Sequence, residues 1–115
     1  MYSANIIERL DAELSQFANA ERRDAFRALL CAPTVESRTW DWNDGREVKI
    51  CVFARAPADR IVFAYAIDGY SDHWGALFEG DTSLGMDAQW YLYLEDAFVS
   101  SGAWHGPIEL DHEIR

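Results

Sequence analysis

The spacing of the apolar residues changes at Pro33, and this change constrains the fold more than any other feature of the chain. Before it, "SANIIERLDAELSQFA" places apolar residues at the spacing of an amphipathic helix. A second helical segment, "NAERRDAFRALLCAP", begins at the capping residue Asn19 and stops at Pro33. The sequence therefore predicts an N-terminal helical hairpin, with Cys31 at the end of its second helix.

After Pro33 the apolar period shortens to that of strands. "TVESRTWDW" alternates, and "NDG" favours a hairpin turn before the return strand "REVKICVFARA". That return strand places Val48, Ile50 and Val52 on one face. Next, "IVFAYAI" is apolar throughout, which is typical of a central strand covered on both faces. "WGALFEG" predicts a fourth strand.

The last predictable element is a short helix over "LEDAFVSSG", which a glycine ends. The expected fold is therefore α+β: an N-terminal helical hairpin followed by an antiparallel sheet of about four strands and a short C-terminal helix. We expect residues 1–115 to form a single domain, since no linker, repeat or low-complexity tract interrupts them. The course of the segment after Ala103 is left open.

The sequence also indicates a compartment. No apolar run approaches the roughly 20 residues that span a bilayer, and the N-terminus lacks the basic and apolar regions of a signal peptide. We therefore expect a cytoplasmic protein. Without an export signal, Cys31 and Cys51 are expected to be reduced and buried, although the sequence leaves open whether they ever pair.

Charge is distributed unevenly along the chain. The net charge is −10. Residues 1–60 hold ten acidic and nine basic residues, whereas residues 61–115 hold ten acidic residues and one basic residue, Arg115. The second half offers no footprint for phosphates, which argues against nucleic acid and anionic membranes as partners. A basic protein partner is expected instead, and the alternative is that the acidity only keeps the protein soluble.

No catalytic or metal-binding motif is present. The chain lacks HExxH and CxxC pairs, the calcium-binding spacing of an EF-hand, a phosphate loop and a nucleophile elbow. A nucleophile, Cys51 or Ser71, can be drawn with His73 and Asp68, but nothing in the spacing specifies it. Convergence of acidic side chains for acid–base chemistry stays open. We predict a protein that is not an enzyme and has no cofactor and no metal.

The aromatic residues divide into two groups. The phenylalanines within apolar runs, Phe78 among them, are expected in the core. The five tryptophans are flanked by Asp, His, Gly or Gln and are expected to be half exposed, each either closing an edge of the sheet or anchoring an interface.

Several motifs resemble those of a known group of proteins. The strand "WDW" followed by a glycine turn, then "DHWGALF" and "LGMDAQWYLYLEDAF", resemble a family of small, mostly uncharacterised proteobacterial proteins. The matching positions are Trp40 to Trp42, Trp74 to Phe78, and Leu84 to Phe98. The resemblance covers most of the chain beyond the first helix and implies no particular chemistry.

The size, acidity and lack of catalytic motifs are similar to those of immunity proteins from bacterial toxin–immunity systems, including contact-dependent growth inhibition. This resemblance implies a protein that binds a toxin and occludes its basic nuclease domain. The candidate partner-binding residues are five acidic side chains and two tryptophans between residues 68 and 90: Asp68, Asp72, Trp74, Glu79, Asp81, Asp87 and Trp90. The alternative is a non-catalytic domain that holds a small ligand or a peptide between its helices and its sheet.

Overall fold

The computed structural model describes residues 2–40, 46–67, 73–81 and 89–106. Three helices and five strands follow one another in these ranges: α1 (Tyr2–Ser15), α2 (Ala20–Arg27), β1 (Leu30–Trp40), β2 (Arg46–Ala56), β3 (Ile61–Ala66), β4 (Trp74–Phe78), β5 (Trp90–Tyr91) and α3 (Leu94–Ser101). A 3-10 turn, Pro57–Asp59, joins β2 to β3. The predicted α+β class is confirmed, but the predicted arrangement is matched only roughly, since the sheet gains a fifth strand.

The sheet is antiparallel, and each strand pairs with its neighbours in sequence, in the order β1-β2-β3-β4-β5. β1 and β2 are the longest pair and run from Leu30 opposite Ala54 to Trp40 opposite Arg46. The register shifts between Leu30 and Thr34, and Pro33 lies within that irregularity. Since proline donates no amide hydrogen, an irregular stretch of an edge strand is where it is tolerated.

The second helix is shorter than the sequence predicts. It ends at Arg27 rather than at Pro33, so Cys31 belongs to β1, and the prediction that it ends a helix is wrong. The chain leaves the helix through hydrogen bonds from Ala28 N to Asp24 O and from Leu29 N to Phe26 O. Leu29 O then accepts Arg55 N at 3.0 Å, and this bond to the neighbouring strand starts the sheet. Pairing with β2 has overridden the local helical pattern.

The three helices pack on one face of the sheet. Phe26 of α2 is fully buried at the centre of this layer. Its ring centroid lies 5.0 Å from that of Phe63 and 5.1 Å from that of Phe98, both in edge-on geometry. Phe17 and Phe53 lie 6.1 Å away on either side. These contacts join the helices and the sheet into one aromatic core.

The opposite face of the sheet is also buried. Val48, Ile50 and Val52 share this face as predicted, and every residue of β3 is buried, which confirms that this strand is covered on both faces. Arg38, opposite Val48 on β1, is buried, and its Nη1 donates to Phe78 O at 3.3 Å. β1 and β4 are not neighbours in the sheet, so this contact requires the sheet to coil over this face. The coiled sheet therefore shields a second core.

Candidate functional site

The structure describes two of the five acidic residues predicted to bind a partner. Asp68, Asp72 and Asp87 lie outside the described residues, and Glu79 and Asp81 are exposed just after β4. The turn that carries them is held by hydrogen bonds from Glu79 N to Arg60 O at 2.9 Å and from Asp81 N to Phe78 O at 3.3 Å. Glu79 also pairs with Arg55 at 3.4 Å, but both side chains are exposed, so the pair contributes little to stability.

Both tryptophans of the predicted site are in the core. Trp74 is 5% exposed and Trp90 is 3% exposed, so the expectation that they are half exposed is wrong. Trp74 packs edge-on against Phe53 and Tyr65, with ring centroids 5.6 and 5.1 Å apart. The polar neighbours in sequence misled the prediction, because strand alternation turns those neighbours away while the indole rings point inward. Neither indole is accessible to a partner in this fold.

Gly75 explains how the ring of Trp90 fits against the sheet. The two residues are opposite each other on β4 and β5. A Cβ atom at position 75 would lie 2.7 Å from the Trp90 ring, closer than real Cβ atoms approach. The glycine of the "WG" pair is therefore a packing feature, because it makes room for Trp90, which comes fifteen positions later in the chain.

Phe78 is the exposed aromatic side chain that sequence reasoning missed. It was expected in the core with the other phenylalanines of apolar runs, yet it is 61% exposed at the end of β4. Leu92 and Tyr93, after β5, are also exposed. The signal was present in the sequence, because Phe78 is the last residue of its apolar run and the polar turn "EGD" follows at once.

A cavity of about 210 Å³ opens beside Phe78, between the end of β4 and the C-terminal end of α3. Apolar side chains form most of its lining, together with Gln89 and two serines: Ile61, Ala76, Leu77, Phe78, Gln89, Tyr91, Ser100 and Ser101. Gln89 Nε2 donates to Ala76 O at 3.2 Å, and Ser101 Oγ donates to Phe98 O at 2.7 Å. These bonds fix two of the polar groups in the wall of the cavity.

A second, charged depression of about 280 Å³ also adjoins Phe78. It is lined by Asp59, Arg60, Phe78 and Glu79, so Phe78 forms a wall of both spaces. His105 Nε2 lies 3.1 and 3.2 Å from the two carboxylate oxygens of Asp59. Arg60 has a left-handed backbone with φ of 58°. Polar and apolar surfaces therefore adjoin at one end of the sheet.

Two ionisable groups outside this end of the sheet have raised pKa values. Burial raises the pKa of Glu13, and the charge of Asp96 raises it further, while the hydrogen bond from Leu94 N lowers it. Burial also raises the pKa of the Cys51 thiol, as does the nearby Cys31. Both cysteines are free thiols. A buried thiol with a raised pKa stays protonated, so the geometry gives no support to Cys51 as a nucleophile.

His73 stacks on Tyr65 with ring centroids 4.9 Å apart, and its predicted catalytic partners Asp68 and Ser71 lie outside the described residues. Among the residues whose positions are described, no three His, Cys, Asp or Glu side chains are grouped to hold a metal ion. The helices of that part of the chain are all too short or too polar to cross a membrane.

Comparison with protein-family models, with curated proteins and with solved structures gave no match. The resemblance to small proteobacterial proteins and to immunity proteins therefore stays a prediction. The function proposed below rests on the charges and geometry of this chain alone.

Proposed function

We propose that the protein is a cytoplasmic immunity protein of bacteria that binds a cognate toxin and occludes its basic nuclease domain. The observation that carries this proposal is the charge of residues 61–115, where ten acidic residues stand against one basic residue. Nuclease domains bind a phosphate backbone through Lys and Arg side chains. A surface rich in carboxylates competes for such side chains and speeds the encounter.

The contact surface that we propose centres on the end of β4. Glu79 and Asp81 are exposed there beside the exposed ring of Phe78. An aromatic side chain rimmed by charge is a frequent energetic centre of protein interfaces. In this arrangement Phe78 takes the role that the sequence had assigned to Trp74 and Trp90, and the carboxylates orient the partner. Asp68, Asp72 and Asp87 remain proposed members of the same surface.

The proposal is tested by capture of the partner and by charge reversal. Tagged protein is expected to retain one basic toxin fragment from its host, and less of it at higher salt. Asp81→Lys is then expected to slow association about tenfold, because electrostatic steering acts mainly on the association rate. Glu8→Lys, an equal charge change on α1, serves as the control. Wild-type association and protection by Asp81→Lys would show that this surface is not the contact.

The cavity beside Phe78 favours a second candidate function. A space of about 210 Å³ lined by apolar side chains and a few fixed polar groups is smaller than a drug-sized site but has room for one small apolar group. We therefore propose, as the alternative, a non-catalytic domain that binds a small ligand or a peptide there. A screen of metabolites for a rise in melting temperature tests it, since a ligand that binds only the folded state stabilises that state.

A further inference from the structure

We propose that the cavity and the adjoining charged depression together form a site for a free amino acid with a large apolar side chain. The side chain enters the cavity, and the ammonium and carboxylate groups bind in the depression that shares Phe78 as a lining residue. This inference goes beyond toxin binding, and it rests on the second function proposed above.

The cavity has the size of one aromatic or large aliphatic side chain. Its volume is about 210 Å³. An apolar cavity of roughly 150 Å³ is known to admit benzene, so a phenyl or indole group fits within this larger space. The side chains of Ile61, Ala76 and Phe78 are apolar, so burial of such a group against them is favourable. The opening beside the exposed Phe78 ring leaves room for polar atoms to remain outside.

The depression is lined by charged residues of both signs, which can bind the polar groups of the ligand. Asp59 and Glu79 supply carboxylates, and Arg60 supplies a guanidinium. Within the described ranges, the Arg60 guanidinium makes no ion pair, whereas Asp59 meets His105 and Glu79 meets Arg55. A ligand with a single charge gains from one sign and is repelled by the other. A zwitterion is matched by both, with its ammonium toward the carboxylates and its carboxylate toward Arg60.

Arg60 occupies a backbone conformation that suits glycine or asparagine better. Its φ of 58° is the one positive value among the non-glycine residues of the described ranges, and such a conformation costs roughly 1–2 kcal/mol. The main chain holds it there through Arg60 N to Pro57 O at 3.1 Å and Glu79 N to Arg60 O at 2.9 Å. Residues held in strained conformations cluster at ligand sites. Here the strain is borne by a residue that lines the depression.

The two charges also separate a free amino acid from a residue within a polypeptide. An internal residue of a chain carries neither an ammonium nor a carboxylate on its backbone. It therefore has nothing to offer Asp59, Glu79 and Arg60 beyond neutral hydrogen bonds. We accordingly assign the site to the free amino acid and make the blocked residue a control in the test.

The probe is L-phenylalanine, followed by amide chemical shifts in a nuclear magnetic resonance titration of the full chain. We expect shifts of the Gln89 side-chain amide and of the Ser100 and Ser101 backbone amides. Three analogues lack one or both charges: 2-phenylethylamine, 3-phenylpropanoate and N-acetyl-L-phenylalaninamide. Each is expected to bind about three- to tenfold more weakly, the range expected for losing an exposed charged contact. Equal affinity for N-acetyl-L-phenylalaninamide would overturn the amino-acid assignment.

Two variants sharpen the test. Arg60→Asn removes the guanidinium but keeps a residue that tolerates the left-handed backbone, so the melting temperature should not fall. It is expected to weaken L-phenylalanine binding about three- to tenfold and to leave 2-phenylethylamine binding unchanged, which a purely structural role would not do. Unchanged affinity for L-phenylalanine would overturn the role of Arg60 and with it the proposal.

Ser100→Trp places a large ring at the mouth of the cavity, and Ser100→Ala is its matched control, since Ser100 is exposed on α3. We expect the tryptophan variant to abolish the shifts and the alanine variant to retain them. If none of the probes shifts these amides in the wild-type protein, the amino-acid site is wrong, and the metabolite screen decides the ligand-binding alternative separately. Toxin binding is measured separately by capture, so its outcome does not depend on this titration.

Discussion

At the scale of single residues, burial and backbone space decide roles that residue type alone suggests wrongly. Trp74 and Trp90 are in the core, whereas Phe78, in an equally apolar run, is exposed. Strand alternation and the end of β4 determine this outcome. In the partner-binding surface that we propose, Glu79 and Asp81 remain and Phe78 replaces the two tryptophans.

Gly75 is the residue at which a single methyl group should be most disruptive. Gly75→Ala is expected to lower the free energy of unfolding by about 1–3 kcal/mol, because the added Cβ would overlap the Trp90 ring at 2.7 Å. Chemical denaturation measures this cost. The double variant with Trp90→Leu removes the ring, so it should lose less than the sum of the two single changes. A fully additive loss would contradict the packing explanation.

Glu13 should make stability depend on pH. Burial raises its pKa in the folded state above the usual 4.5, so the folded protein holds this proton more tightly than the unfolded chain does. This contribution to the free energy of unfolding should be complete below the usual pKa of 4.5. It should be lost as the pH rises through the raised pKa of the folded state. Urea denaturation at neutral pH and at about pH 5 measures this difference.

Glu13→Gln should remove that part of the pH dependence and keep an oxygen that accepts Leu94 N. Because other groups titrate in the same range, the comparison between variant and wild type isolates the contribution of Glu13. Glu8→Gln, on the same helix but exposed, is the matched control. Identical pH profiles for Glu13→Gln and wild type would show that Glu13 is not perturbed by the fold.

At the scale of elements, buried polar contacts join the N-terminal helices to the last one. Arg22 of α2 is 1% exposed, and its Nη1 lies 3.3 Å from Glu95 Oε2 of α3. The other carboxylate oxygen of Glu95 accepts Ala18 N at 2.9 Å, in the connection between α1 and α2. Glu13 accepts Leu94 N at 2.9 Å and so caps α3 from α1. These three contacts fix the angle at which the hairpin meets α3.

The Arg22–Glu95 pair should matter more when it is broken than when it is replaced. Glu95→Leu alone leaves a buried guanidinium, and we expect a loss of about 3–5 kcal/mol in the free energy of unfolding. The double variant Arg22→Met with Glu95→Leu removes both charges and should recover part of that loss. Thermal or chemical unfolding of these two variants and of the wild type measures this recovery. A double variant as unstable as Glu95→Leu would show that the helix contacts depend on the pair itself.

At the scale of the whole molecule, periodicity predicted most of the architecture, and long-range pairing determined the rest. The strand over residues 61–66 and the helix over residues 94–101 match their patterns, because a continuous apolar run predicts the first and an apolar spacing that stops at Gly102 predicts the second. β5 is only two residues long, and α2 ends early, because in each case a partner far along the chain sets the boundary. The cavity beside Phe78 was not predictable, since it arises where four separate segments meet.

The contacts that close the helical layer have a consequence for synthesis of the chain. Every strand pairs with its sequence neighbour, so the sheet can be assembled in the order in which the chain leaves the ribosome. The N-terminal helices are synthesised first, yet the hydrogen-bond partners of Glu13 and Ala18 lie 81 and 77 positions later in the chain, at Leu94 and Glu95. The face of the sheet that these helices cover therefore stays open until α3 emerges. A nascent chain stalled before residue 94 would expose its aromatic core and become a substrate for chaperones or proteases.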